Sequence, residues 1–427
     1  MITGFFIILA GLLVVGVPIF ISLSGAVLAS MWWQGGMPLT IVIERLFAGL
    51  DKFSLMSIPF FILAGNLMNV GGLSRRIVHL ANLMVGRFTG GMGMTAVSSS
   101  MFFSAISGSS PATVVAVGSL LYPALNEQGY KRSFSIGVII ASGSIGIIIP
   151  PSIVMIVYAA VTGVSVGALF MAGIGAGLLY GLCFFPYCYY RARRDGVKRS
   201  PAPSARELWR ALKDAAWGMG VPVVVLGGIY GGVFTPTEAA AVAVIYAFGV
   251  AAFIYREKTM GEMFGAIVNS ATTTAQVMII LASASVLSWF LTSNGIAVFI
   301  AERVLSISAN PYYIFLLINV TVLIWGMFLD AASIMVILAP LFYTVGLKVG
   351  INPIHLGVVL TVNGAIGMFT PPFGLNLFVA SSVGDVDYLQ AVRGSLPFIG
   401  LAIIALALLT YFPDISMFLP RMVYAGV

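Results

Sequence analysis

Apolar stretches of about 20 residues, the length that crosses a bilayer core, follow one another from end to end of the chain. Short runs of Gly, Pro and charged residues separate them. In the first half the pattern predicts short helices over Ile2–Gly16 and Ile19–Trp33, then an amphipathic stretch over Leu39–Phe53. The second half repeats the order with Met219–Phe234, Glu238–Tyr255 and Glu257–Ile267. Next in each half comes an apolar segment with a polar middle. One is Ser57–Asn66, Asn69–Arg76 and Ile77–Val85, and the other Gln276–Leu291, Thr292–Gly295 and Ile296–Leu305. Each reads as a re-entrant helical hairpin (about 54–86 and about 275–305), with two full short spans as the other reading. Non-helical backbone at that depth is tolerated only where it is buried or lines a cavity. Two long interrupted helices follow each hairpin, over 93–160 and 310–380, and then a plain one.

Two of these interruptions share a sequence. SGSIGIIIPPS at Ser142–Ser152 returns as NGAIGMFTPPF at Asn363–Phe373, 221 residues later. At the same offset Leu120 matches Leu341, Tyr122 matches Tyr343 and Gly129 matches Gly350. Gly143, Ile145, Gly146, Pro150 and Pro151 match Gly364, Ile366, Gly367, Pro371 and Pro372. The chain therefore divides into a first repeat (1–190), a linker (191–216) and a second repeat (217–427). Three crossings after each hairpin make the number odd, so the repeats are expected to be inverted. Helix breakers at corresponding positions of two halves point to the binding site of a secondary transporter.

Composition fixes the solvent. The 427 residues are 60% hydrophobic and 8% charged, with a mean hydropathy of +1.06, against about 25% charged residues in soluble domains. The expected class is an all-α polytopic membrane protein. No Lys or Arg precedes the first apolar run, so it does not resemble a cleavable signal peptide. Eight of the 21 basic residues, from Arg191 to Lys213, fall in the linker, which the positive-inside rule places on the cytoplasmic face. This distribution favours a cytoplasmic loop as the source of the net charge of +7, with a nucleic-acid patch as the functional alternative. Ser204-Ala-Arg-Glu207 predicts a capping box, starting a short surface helix with Leu208 and Trp209 at the interface. Cys183 and Cys188, the two cysteines, match no metal spacing and read as lipid-facing or packed thiols. No Gly-x-x-x-x-Gly-Lys-Ser/Thr and no His-Glu-x-x-His occurs, and neither histidine has an obvious nucleophile. His79 and His355 read as interfacial. An enzyme is not expected.

The candidate chemistry lies in the interruptions. In MFFSAISGSSP, Met101–Pro111, serines and a glycine interrupt an apolar helix, and Pro111 follows Ser110 as an N1 proline follows an N-cap. The matching region, WGMFLDAAS at Trp325–Ser333, sets Asp330 opposite Ser109, with Gly326 as the flexible break. Proline lacks an N–H, so the double prolines deprive the carbonyls of Gly146, Ile147, Gly367 and Met368 of helical partners. Alkali cations want several oxygens, so two neutral cation sites are expected. One uses Ser104, Ser107, Gly146 and carbonyls over Ile149–Pro151; the other uses Gly326, Gly367, Thr370 and nearby carbonyls. Sodium is favoured over protons because deep carboxylates and histidines are nearly absent. The half-helix starts at Ser109–Pro111 and Asp330–Ser333 turn positive dipole ends toward the midplane, which suits a carboxylate. Ser109, Ser110, Asp330, Asn363 and Asn376 are the candidate substrate residues. Asp330 is also readable as a helix N-cap, and the two asparagines as bonds between helices. Glu238, in Thr235-Pro-Thr-Glu238, reads as a cap.

Six segments together resemble one family. They are SIPFFILAGNLM at Ser57–Met68, SGSSPATVVAVGSLLYPAL at Ser107–Leu125, IPPSIVMIVYA at Ile149–Ala159, FTPTEAAAVAV at Phe234–Val244, FLDAASIMVILAPL at Phe328–Leu341 and TPPFGLNLF at Thr370–Phe378. In order and through nearly the whole chain, they are similar to the large membrane subunit of tripartite ATP-independent periplasmic (TRAP) transporters. The resemblance implies a bacterial inner-membrane protein that pairs with a small four-helix membrane subunit and receives an organic acid from a periplasmic binding protein. It implies a sodium gradient as the driving force, with Na+ co-transported, and elevator movement of the part holding hairpins and broken helices. Substrates of the C4-dicarboxylate or sialic acid class are implied. The first helix starts at residue 2, which suggests that the small subunit is not fused to this chain. A stand-alone cation-coupled carboxylate carrier is the alternative; a membrane-embedded enzyme would need a catalytic pair.

Overall fold

The computed structural model describes residues 2–35, 38–384 and 386–424. They are helical with short connections. Seven helices among them are long and apolar enough to cross a membrane, and an eighth candidate is the pair 296–306 and 311–326, bent by 120°.

The first half opens with α1 (Ile2–Val14) and α2 (Ile19–Gln34), then the amphipathic α3 (Thr40–Leu50). A 3-10 turn at Phe53–Met56 leads into α4 (Ser57–Val70), and Gly71–Gly72 into α5 (Leu73–Val85). Next come α6 (Gly91–Ser107), α7 (Ser110–Glu127), α8 (Arg132–Gly143), the first double proline and α9 (Ile153–Thr162). The plain helices α10 (Val166–Leu182) and α11 (Phe185–Arg194) reach the linker. The second half follows with α12 (Ala205–Tyr230), α13 (Pro236–Gly249), α14 (Met260–Ser293) and α15 (Ile296–Ile307). Then come α16 (Pro311–Gly326), α17 (Ala331–Lys348), α18 (Pro353–Gly367), the second double proline and α19 (Leu375–Val383). It closes with α20 (Tyr388–Tyr411) and α21 (Asp414–Val423).

The capping boxes form as expected: Ser204 and Thr235 each accept from the amide three residues on, and Glu207 and Glu238 reach back to them. The surface helix that starts at Ser204 is not short, however. It continues as α12, whose exposed Trp209 and Leu208 lie on its first turns. Nothing between Lys213 and Met219 breaks a helix except one tolerated glycine. For the same reason the stretch Glu257–Ile267 and the apolar run from Gln276 are one helix, α14, because residues 266–275 contain neither Gly nor Pro.

The expected hairpins at 54–86 and 275–305 are corrected. Phe53–Val70 is by itself long and apolar enough to cross, and it runs from Phe53, whose carbonyl accepts from Thr237, to Gly71, packed against Ala251. Amphipathic α5 meets it only near the turn, and packs instead on α6 and α12, with Leu80 against Ala211 and Ala215. The chain doubles back one element later. Ser200 donates to the Gly86 carbonyl just ahead of α6 and accepts from Gln128 just after α7, so both outer ends of α6–α7 lie at the linker. The reversal is at Gly108, in the left-handed region at φ 59° that favours glycine. In the second half α16–α17 doubles back in the same way. Phe315 near its start and Gly346 near its end both lie on the first turn of α18, against His355 and Leu356. Each apparent break in a spanning helix, at 108–109 and 327–330, is therefore a hairpin tip.

Each tip meets the double proline of its own half. A Cβ on Gly108 would stand 2.6 Å from the Pro151 carbonyl oxygen, and the Phe373 amide donates to Met327 at 3.1 Å. Both Pro–Pro bonds, 150–151 and 371–372, are cis.

Candidate functional site

The two tips converge on one cleft of about 460 Å³. Ser107–Ala112 of the first tip and Asp330–Ala332 of the second line it, with Asn66 and Asn69 of α4 and Thr273 and Gln276 of α14. Its remaining walls are apolar, among them Phe103, Ile147, Val154, Ile280 and Met368. An apolar cleft with a few convergent polar groups is the usual form of a small-molecule site.

The tips differ in chemistry. Ser109, not Ser110, is the N-cap of α7: its backbone is extended (φ −133°, ψ 128°) and Ser110 is already helical, which corrects the expected register by one. The Ser109 side chain makes no cap hydrogen bond. With Pro111 lacking an N–H, the amides of Ser110 and Ala112 have no partner among the described hydrogen bonds. An uncapped helix start presents unsatisfied donors and a positive dipole end, a ready anion site. At the second tip Asp330 caps α17. Its Oδ2 accepts from the amides of Ala332 at 3.0 Å and Ser333 at 3.3 Å, and its Oδ1 from the Ser333 hydroxyl. The carboxylate thus faces its own helix start, so its charge is offset locally by that dipole end.

Behind the first tip Ser107 Oγ lies 3.1 Å from Thr113 Oγ1, and Thr113 Oγ1 donates to the Ser109 carbonyl at 2.8 Å. Gly146 packs on this pair: a Cβ there would fall 2.5 Å from the Ser109 oxygen and 2.7 Å from Thr113 Oγ1. Thr113 was not foreseen; it sits four residues after Ser109, where its hydroxyl reaches the N-cap carbonyl. Ser104 is fully buried and donates to the Ser100 carbonyl. The Ile149 side chain packs against Gly177, away from the cluster. The Ile147 carbonyl is not free, since Ser152 Oγ donates to it.

Behind the second tip Gly326 and Gly367 touch backbone to backbone, with a Cβ on Gly367 only 2.6 Å from the Gly326 Cα. The Thr370 hydroxyl donates to Ile366 at 2.7 Å. The carbonyls of Gly367 and Met368, expected to lack partners, accept from the amides of Thr370 at 3.1 Å and Asn376 at 2.8 Å. The double proline removes the helical donors, and residues on either side of it, Thr370 before and Asn376 after, supply others.

The asparagines are corrected as substrate residues. Asn376 is buried and hydrogen-bonds Ser110 Oγ in both directions, at 2.8 and 3.1 Å, while also donating to Ile140. It joins the second double proline to the first tip and does not line the cleft. Asn363 is buried between helices, donating to Asn319 at 2.8 Å and Val359 at 2.9 Å. His355 is likewise not interfacial. It is buried, with ring nitrogens at 3.1 Å from Ser416 Oγ and 3.3 Å from the Thr410 carbonyl.

Residues 6–415 match the family described as the tripartite ATP-independent periplasmic transporter, DctM component. The chain belongs to this TRAP family. It is 41% identical to the C4-dicarboxylate TRAP transporter large permease protein DctM of Vibrio cholerae, over 98% of this chain and 97% of that one. It is 43% identical to the isethionate TRAP transporter permease protein DctMQ of Oleidesulfovibrio alaskensis, over 95% of this chain and 64% of that one. The fold is similar to the crystal structure of the Alcanivorax borkumensis YdaH transporter, described as having an unusual topology. The TM-score is 0.63 with 18% identity, covering 88% of this chain and 89% of that one. This TRAP permease is a multi-pass protein of the bacterial inner membrane, a transporter component and not an enzyme.

Proposed function

We propose that this permease imports a small organic anion, driven by co-transported sodium. The observation that carries the reading is the cleft between two hairpin tips, with the uncapped start of α7 on its wall. Its unpaired amides suit one carboxylate oxygen pair, and the apolar walls suit a short carbon chain. The relatives named for C4-dicarboxylate and isethionate favour a small dicarboxylate or sulfonate over the larger sialic acid. Membership of a tripartite family supports a small membrane subunit and a periplasmic binding protein as partners.

The first sodium ion would lie among Ser107 Oγ, Thr113 Oγ1 and the carbonyls of Ser109 and Pro151. Ser104, Gly146 and the backbone at Ile149 shape its surroundings. The second would lie where Gly326 meets Gly367, with Thr370 beside it. A carbonyl that already accepts one hydrogen bond keeps a second lone pair for a cation. The matching element order supports inverted repeats. In an elevator movement, the unit of hairpins and broken helices would carry the cleft past α1–α4 and α12–α14.

The test is uptake of succinate into proteoliposomes holding the permease, the small subunit and the binding protein. A sodium gradient should drive it and a proton gradient should not; uptake indifferent to sodium refutes the coupling. Ser107→Ala, Thr113→Val and Thr370→Val should each raise the sodium concentration for half-maximal uptake severalfold. Unchanged sodium dependence in all three would refute the ligand assignment.

A further inference from the structure

A second cavity, of about 280 Å³, lies between α3, α14 and the end of α9. It borders the cleft through Leu281, which lines both. It belongs to the face away from the basic linker. Lys52 sits at the start of α4, and the other end of α4 reaches Gly72, which abuts Glu257. That end is tied to the linker side through Tyr255, whose hydroxyl donates to the Asp214 carbonyl.

Two cations line this cavity. Lys52 Nζ donates to the Ala160 carbonyl at 2.6 Å, and the Arg45 guanidinium stands 5.8 Å from the Trp289 ring centre. Neither has an ion pair among the described residues. Their acidic sequence neighbours Glu44 and Asp51 do not line the space, and no other acid does. Ser285, Ser288 and Thr292 of α14 add hydroxyls. The placement is built in: α3 presses on α14 where a Cβ on Gly49 would fall 2.3 Å from the Ser285 Cβ. One turn away on each helix, Arg45 and Trp289 then face each other. Unpaired cations in a recess with low-dielectric walls concentrate anions.

We propose that Arg45 and Lys52 form an outer capture site, where the carboxylate solute halts before it enters the cleft. This rests on the anion reading above. The two cations supply charge and the α14 hydroxyls supply hydrogen bonds, while Leu281 separates the halting place from the cleft. The site sets how efficiently the solute is collected, not how fast the loaded protein turns over.

The experiment is succinate uptake by the three-part system in proteoliposomes, comparing wild type with Arg45→Gln/Lys52→Gln and with the charge-conserving Arg45→Lys/Lys52→Arg. The glutamine pair should raise KM about tenfold, keep kcat, and flatten the fall of uptake with ionic strength; the conserving pair should restore both. An unchanged KM in the glutamine pair overturns the proposal, as does a loss of kcat alone. In a second arm the affinity of the membrane complex for its binding protein is measured directly. Weakening by the same factor as KM would show that the cations dock that protein and would also overturn the proposal. Competition by uncharged succinamide keeps the two readings apart. If it competes with succinate as well as fumarate does in wild type, the anion reading itself fails, whatever the variants show.

Discussion

The two hairpin tips occupy equivalent places and do opposite things with them. Both reverse the chain beside a cis double proline, and both start a helix on the wall of one cleft. At the first, Ser109 leaves the amides of Ser110 and Ala112 unpaired; at the second, Asp330 closes the helix start with its own carboxylate. Two similar hairpin tips therefore present one open dipole end and one closed. On the proposed reading the open end would take an external anion in place of the missing cap, whereas the closed end is already capped by the Asp330 side chain. Asp330 need not repel an anionic solute strongly, because its carboxylate is turned onto the start of α17.

This contrast can be broken from the largest effect downward. Gly146→Leu drives a side chain into the Ser109 carbonyl. It should cost about 3 kcal/mol in the packed tip, seen as an uptake loss on the order of 100-fold. Gly367→Leu should cost as much, and a much smaller loss there would mean that the second tip is not a working counterpart. Ser109→Asp would close the first tip as the second is closed. It should raise thermal stability by about 1 kcal/mol while weakening succinate uptake roughly tenfold, through the like charge at the anion site. Stability and uptake falling together would refute the open-end assignment. Asp330→Ala leaves two amides and the Ser333 hydroxyl without their acceptor. A loss of about 1–2 kcal/mol in denaturation is expected. Asp330→Asn keeps an acceptor, so stability should shift by only a few tenths of a kcal/mol, with succinate KM unchanged or lower. A large rise in that KM would give Asp330 a direct role with the solute.

The sequence made the all-helical membrane class and the family legible, because composition, apolar run length and local motifs need no tertiary information. It misplaced the hairpins for a physical reason. A helix interrupted at Gly108–Ser109 reads the same whether the chain continues or turns back. What decides is where Gln128 ends up, and that depends on Ser200, 72 residues away. Conversely the polar run Asn69–Arg76 made residues 57–85 read as too short and too polar at the middle to cross twice, whereas Asn66 and Asn69 line the cleft. Thr113 was hidden because an isolated threonine in Ala-Thr-Val-Val looks like any other helix residue. Its position four residues after an N-cap was the usable signal. Asn376 could not be assigned, since its partner Ser110 is 266 residues distant.

Helix α14 runs unbroken for 34 residues, about 51 Å at 1.5 Å per residue. Near its start Ser270 accepts from Asn66; Gln276 then borders the cleft and Ser285 the outer cavity. It acts as a ruler. The nine steps from Gln276 to Ser285 correspond to about 14 Å of axial rise. With both cavities bordered by one unbroken helix, the axial spacing between them is fixed by helix geometry, and lengthening the loops elsewhere cannot alter it.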